Sequence, residues 1–330
     1  MLAKIPKFIT VPALLLILLF VSYVLSNIGS GKSSFENFFL GSQNLFKEST
    51  PQEDPVDQLL ENSAKNFDGN YAIYIKNLKT GNLSEVNPDE KFTSASLYKL
   101  AVMYKAYDSL VKKEISMDET LSGNSADLDN VLTGVQDDTD LGNQQAASFD
   151  NQNQTIAYPV SEALRLMITI SDNYSALLLA QKLGWQNIDQ LMEKEGFLGI
   201  DLIGPDDPTV TARALGNLLE KIYRNQAVNP QSSSEMEQLL FDQKINDRIP
   251  KYLPQDIKVG HKTGELDGIR HDAGIVLGKK SHYIFVFLTD SLQPLDAAEK
   301  IAILSKQIFD LLEKDWLSLD KSTKIRYHPW

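Results

Sequence analysis

Apolar side chains recur along this chain with several different periods. From 8 to 28 they form an almost unbroken run, long enough for one membrane crossing. Between 97 and 111 they cover most of the circumference of a 3.6-residue period, which predicts a buried helix rather than a surface one. Apolar helices are likewise predicted over 159–170, 174–183 and 210–223, and amphipathic ones over 55–67 and 295–316. Short apolar runs predict strands at 71–75, 257–264, 271–277 and 282–289. Another strand leads to Phe92 after a hairpin turn at Lys79-Thr80-Gly81-Asn82. The strands come from both ends of the chain, with helices between them. This predicts an α+β fold: an antiparallel sheet of about five strands from 68–95 and 255–290, flanked by N- and C-terminal helices, with an all-helical subdomain inserted over 96–254.

The polar stretches divide the chain further. Lys4 and Lys7 precede the apolar run and make 1–7 a cytoplasmic stub, 8–28 a signal-anchor and the remainder extracytoplasmic. A cleaved signal peptide is the rival reading, although no Ala-x-Ala-like site follows. Residues 29–54 read as a flexible linker whose Phe35, Phe38, Phe39 and Phe46 rest on the membrane interface or on the folded region, 55–316; a polar tail, 317–330, ends the chain. The stretch 118–157 reads as a solvated, loop-like insertion. Its Asp127, Asp129, Asp137, Asp138 and Asp140 invite calcium but lack the glycine and closing glutamate of an EF-hand loop.

Charge and composition remove several classes of function. A formal net charge of −12 without clustered Lys or Arg argues against a nucleic-acid partner. With no cysteine, disulfides, thiol catalysis and cysteine metal sites are excluded, and no His, Asp and Glu cluster has metal-ligand spacing; no metal or cofactor is expected.

Ser96-Leu97-Tyr98-Lys99 is the strongest candidate for chemistry. A hydroxyl and an amine three residues apart lie one helical turn apart on one face, a nucleophile beside a base. Thr93 and Ser94 can cap this helix, Lys112 and Lys113 suit its negative end, and Ser96 sits at its positive end. Burial of Lys99 would lower its pKa. The same spacing recurs at Ser109/Lys112 and Ser318/Lys321, so alone it says little. Two further motifs follow in order: Ser171-Asp172-Asn173, where the helix pattern breaks, and Lys262-Thr263-Gly264 on a strand. Ser171 or Asp172 reads either as a plain helix cap or as part of a functional turn beside the helix at 97–111.

The three motifs together, with the run Phe92-Thr93-Ser94-Ala95-Ser96 and the run 164–173, resemble the penicillin-recognising serine enzymes and above all the class A β-lactamases, over residues 55–316. The resemblance implies attack by Ser96 on a lactam or peptide carbonyl, with Lys99 taking the proton directly or through water. It implies an oxyanion hole from the backbone N–H groups of Ser96 and Glu265. Ser171 would relay a proton to the leaving nitrogen, Asn173 would bind the acyl amide, and Lys262 would add positive charge. A substrate carboxylate would meet Thr263, Lys262 and Arg270, with Gly264 allowing close approach and His271 the rival to Arg270. Otherwise His271 and His261 are packing residues and Asp272 orients the loop.

Class A β-lactamases also carry a Glu, with an Asn four residues later, that activates the deacylating water. The segment 193–209 contains no such pair; its acids Asp206, Asp207 and Glu195 are the available substitutes. The expected function is a membrane-anchored, monomeric serine hydrolase of β-lactams. The alternatives are a D,D-peptidase or wall amidase or esterase acting on peptidoglycan peptides, and a sensor that is acylated without turnover.

Overall fold

The computed structural model describes residues 54–64, 67, 69–133, 154–204, 207–291 and 293–314. The expected stub, anchor, nearly all of the linker, the C-terminal tail and Asp137, Asp138, Asp140 and Asp206 lie outside these. Among the described residues no helix is long and apolar enough to cross a membrane.

The described chain opens with α1 (Pro55–Ala64), β1 (Asn70–Asn77), β2 (Leu83–Val86) and β3 (Phe92–Thr93). A single 3₁₀ turn, Ala95–Leu97, leads into α2 (Tyr98–Val111). Next come β4 (Thr120–Asn124), α3 (Ser125–Thr133), β5 (Thr155–Pro159), α4 (Val160–Thr169), α5 (Asn173–Leu183) and α6 (Trp185–Lys194). Then follow β6 (Ile200–Asp201), β7 (Thr209–Val210), α7 (Ala212–Tyr223) and α8 (Pro230–Phe241). The chain closes with β8 (Lys258–Leu266), β9 (Ile269–Leu277), β10 (His282–Asp290) and α9 (Pro294–Leu312).

The main sheet is antiparallel, in the order β2-β1-β10-β9-β8, so the first and last parts of the chain meet at β1 and β10. Strand β10 explains the layering. Its side chains alternate between two faces: Tyr283, Phe285 and Phe287 join Leu59, Leu60, Ile301, Leu304 and Ile308 from α1 and α9. Ile284, Val286 and Leu288 join the core on the other side with Leu215 and Leu218 of α7. Both faces are covered, which is why the strand reads as one continuous apolar run. Truncating Phe285 would cost about 3–5 kcal/mol, the usual penalty for emptying a closely packed aromatic site. Helix α7 approaches β1 closely enough that a Cβ on Gly216 would fall 2.4 Å from the Tyr74 ring.

This is the expected α+β architecture, with departures in detail. The inserted segment 96–254 is not all-helical and 118–157 is not loop throughout: β4 and β5 pair, α3 follows β4, and β7 pairs with β6 and with β3. Leu121 and Leu128 are buried in the helical core and Ile156 and Tyr158 pack against it, while Thr120, Ser122, Thr155 and Ala157 are exposed. Helices α6 and α8 are additional to the expected ones; Gly184, at positive φ, and the Asn229 cap mark their starts. Helix α2 is buried on nearly all sides, as its apolar circumference requires.

Candidate active site

Ser96 stands in the 3₁₀ turn before α2, half-buried, preceded by Ala95 at φ +44°. A non-glycine residue in that region is strained and persists only where its surroundings enforce it. Here they do: Leu97 is fully buried, and a Cβ on Gly264 of β8 would lie 3.2 Å from its Cγ. The expected capping by Thr93 or Ser94 does not occur. The Ser94 hydroxyl bonds to the Ala95 carbonyl and its N–H to the Pro208 carbonyl at 2.7 Å, because the 3₁₀ turn displaces the hydroxyl from the first turn of α2.

Lys99 follows, fully buried. Its ammonium donates to the Ser171 carbonyl at 2.6 Å, the Ser171 hydroxyl at 3.3 Å and Asn173 Oδ1 at 2.7 Å. Among the described hydrogen bonds none joins Lys99 to Ser96; the base is held one turn from the nucleophile by the Ser171 turn. Desolvation lowers the Lys99 pKa from 10.5 to about 7, against the nearby Asp172 charge, which raises it.

Ser171 occupies the break between α4 and α5 at φ +60°. Both readings of the motif hold, on different residues. Asp172 is the cap of α5, accepting from the Ser175 N–H at 2.7 Å. Ser171 faces Lys99 and Lys262 instead. Lys262, on β8 and fully buried, donates to Ser171 Oγ at 2.9 Å and to the Thr263 carbonyl at 2.8 Å. Burial, the Lys99 charge and Arg248 hold its pKa well below the usual lysine range, with Asp272 opposing. With two amines aimed at its oxygen, the Ser171 hydroxyl keeps its own hydrogen free to donate. The structure thus brings Lys99, Ser171, Asn173 and Lys262 together beside Ser96. The rival matches lie elsewhere: Ser109 bonds to Glu114 and Lys112 to Asp108, and Ser318/Lys321 falls outside the described residues.

The carboxylate side differs from expectation. Arg270 is folded onto its own turn, donating to the carbonyls of Leu266 and Ile269 and lying 3.1 Å from Glu265. Its short connection from β8 gives the guanidinium these carbonyls as its nearest acceptors. Arg248, which no motif announced, is fully buried, with Nη2 2.7 Å from Glu265 Oε2 and with Nε and Nη1 unpartnered. Thr263 and Glu265 lie two apart on β8 and so share one face, which places Arg248 on the Thr263 side.

The histidines are structural. His271 is buried, accepts from the Thr289 N–H at Nδ1 and therefore donates from Nε2 to the Thr93 carbonyl at 2.9 Å. Burial lowers its pKa to about 4, keeping it neutral as a strut beneath the Ser96 turn. His261 lies between Asp272 at 2.8 Å and Asn246 at 3.0 Å. Asp272 does not orient the β8–β9 turn: it is buried within β9, facing Thr263, and its Oδ2 accepts from the Ile249 N–H, fixing the segment that carries Arg248. The acids meant to replace the missing Glu are engaged or apart. Glu195 is bound by Tyr104 at 2.9 Å and Lys221 at 2.8 Å, and Asp207 is exposed. Among the described residues no three His, Asp or Glu side chains are grouped to hold a metal.

Comparison with known proteins shows the family and the fold. The profile described as the Beta-lactamase enzyme family matches residues 55–312. Curated proteins give no match. Among solved structures, PBP-A matches at TM-score 0.67 and 21% identity, over 78% of this chain and 95% of its own. A mutant of it is described as an acyl-enzyme complex with penicillin G. The TLA-1 extended spectrum β-lactamase matches at 0.66 and 21%, over 79% and 99%. A β-lactamase from Sphaerobacter thermophilus matches at 0.64 and 19%, over 78% and 97%.

Proposed function

Because the chain belongs to the β-lactamase enzyme family, we propose that it is an active-site serine hydrolase that is acylated at Ser96 by β-lactams and hydrolyses the resulting ester. The observation that carries this reading is the convergence of Lys99, one helical turn from Ser96, and Lys262 on the Ser171 hydroxyl.

Each step has a residue suited to it. Neutral Lys99 takes the Ser96 proton, directly or through water, as Oγ attacks the lactam carbonyl. The oxyanion is held by the backbone N–H groups of Ser96 and Glu265; β8 is the outermost strand, so part of its backbone faces away from β9. As the C–N bond breaks, Ser171 gives its proton to the nitrogen and is resupplied by the amines behind it. Asn173, its oxygen occupied by Lys99, offers its amide N–H groups to the acyl side chain. Thr263 lines the side where a substrate's next group would lie, and Arg248 on that same side is already paired with Glu265.

Deacylation is the slow half. Glu195 is tied to Tyr104 and Lys221, which favours a second reading: a D,D-peptidase or wall amidase or esterase that handles peptidoglycan peptides and releases β-lactams slowly. In either case the 8–28 segment anchors a monomeric enzyme to the membrane with residues 55–316 outside the cytoplasm. The chain with benzylpenicillin, followed by intact-protein mass and product absorbance, tests both. An adduct lost in Ser96→Ala supports acylation at Ser96, and a label surviving that change overturns it. Product without a persistent adduct supports the β-lactamase reading; an adduct lasting hours supports the peptidase.

A further inference from the structure

We propose that the Glu265 side chain is an internal competitor for Arg248, and that it turns the cleft against acyl donors bearing a free carboxylate beside the scissile amide. The inference rests on the serine hydrolase reading and concerns which substrates that site accepts.

A fully buried guanidinium is costly unless a carboxylate faces it. Glu265 Oε2 faces the Arg248 guanidinium closely, at 2.7 Å from Nη2, and Asp247 only loosely, at 3.6 Å from Nη1; Nε and Nη1 lack hydrogen-bond partners. The other oxygen of Glu265 is held by Arg270 at 3.1 Å. The carboxylate therefore bridges two arginines from the same face of β8 as Thr263, where a ligand carboxylate would arrive. Arg248 cannot withdraw, since the next N–H is fixed by Asp272, itself buried against His261. Glu265 can, because its side chain is 54% exposed.

A ligand carboxylate reaching Arg248 must either expel Glu265 or share one guanidinium with a second negative charge, which is unfavourable at that distance. A neutral acyl donor, an ester or a terminal amide, meets no such conflict and leaves the Glu265 bridge intact. The favoured substrates are then peptides or lactams whose group at this position is uncharged.

Benzylpenicillin and its methyl ester differ only in that charge. Their rates of Ser96 acylation, read by intact mass on the full chain, give an acid-to-ester ratio for each variant. In the wild type the ester acylates at least as fast as the acid. Glu265→Gln keeps the side chain's shape and removes its charge, and should raise the acid-to-ester ratio about tenfold, the worth of one charged hydrogen bond. Adding Arg248→Lys, which keeps the charge without the two-pronged geometry, should cancel most of that gain. An unchanged ratio in Glu265→Gln, with both compounds still acylating, overturns the competitor and leaves the serine reading standing. Acylation by neither compound overturns both.

Discussion

Two stretches of chain border the proposed reaction centre, and they use their polar groups in opposite ways. The turn between α4 and α5 points its groups at Lys99: the Ser171 carbonyl and hydroxyl and the Asn173 oxygen all receive the buried amine. The loop from 195 to 211 uses its groups on the scaffold. Glu195 is bound to Tyr104 and Lys221, Thr211 caps α7, and β7 pairs with both β6 and β3. The first stretch holds a strained residue beside a lysine with a depressed pKa, the arrangement expected of working groups. The second is a brace. The contrast is between a turn whose groups converge on a buried amine and a loop whose acid Glu195 is committed to the scaffold.

The sharpest way to break this contrast is to remove the amine. Lys99→Met should slow acylation about 10³-fold, as expected for loss of a general base, in a stopped-flow assay with a chromogenic cephalosporin. A rate within a few-fold of wild type would mean that another group takes the Ser96 proton. Ser171→Ala should cost about 10²-fold in the same assay, the lower end of proton-transfer catalysis.

The pH profile sharpens the same point. Lys99 has its folded pKa lowered from 10.5 to about 7, so the neutral base is present above that pH and lost below it. Acylation should be level above about pH 7 and fall tenfold per unit below it, as for a single essential base. A flat profile down to pH 5 would remove Lys99 from the role.

The smallest effect belongs to the brace. Glu195→Gln forfeits its charge pairing with Lys221 and should lower stability by about 1–2 kcal/mol, read from denaturant unfolding. The lifetime of the penicillin adduct should not change. A lifetime several-fold longer would show that Glu195 serves deacylation, and the two stretches would no longer differ.

Much of this was legible in the chain. The apolar periods predicted the sheet from both chain ends and the buried helix α2, because burial on both faces leaves a continuous run and burial all round leaves no polar stripe. Backbone geometry put Ser96 and Lys99 one helical turn apart, and the resemblance singled out Ser171, Asn173 and Lys262. Helices α6 and α8 and the β4–β5 pair were less visible: their few inward residues, Leu121 of β4 and Met236 and Leu240 of α8 among them, resemble ordinary scatter until the core they enter is known.

The sequence by itself determined on which elements the candidate groups ride, since helix turns and strand alternation are local. Only the tertiary structure decided how those groups are charged and paired. That Lys99 bonds to Ser171 and Asn173 depends on contact between residues 72 and 74 apart. The burial of Arg248 opposite Glu265, and its tether through Asp272 and His261, likewise joins segments that no period or spacing links. Desolvation and ion pairing are properties of the assembled interior, where water is absent and neighbours are fixed, and they appear only once the chain has closed around them.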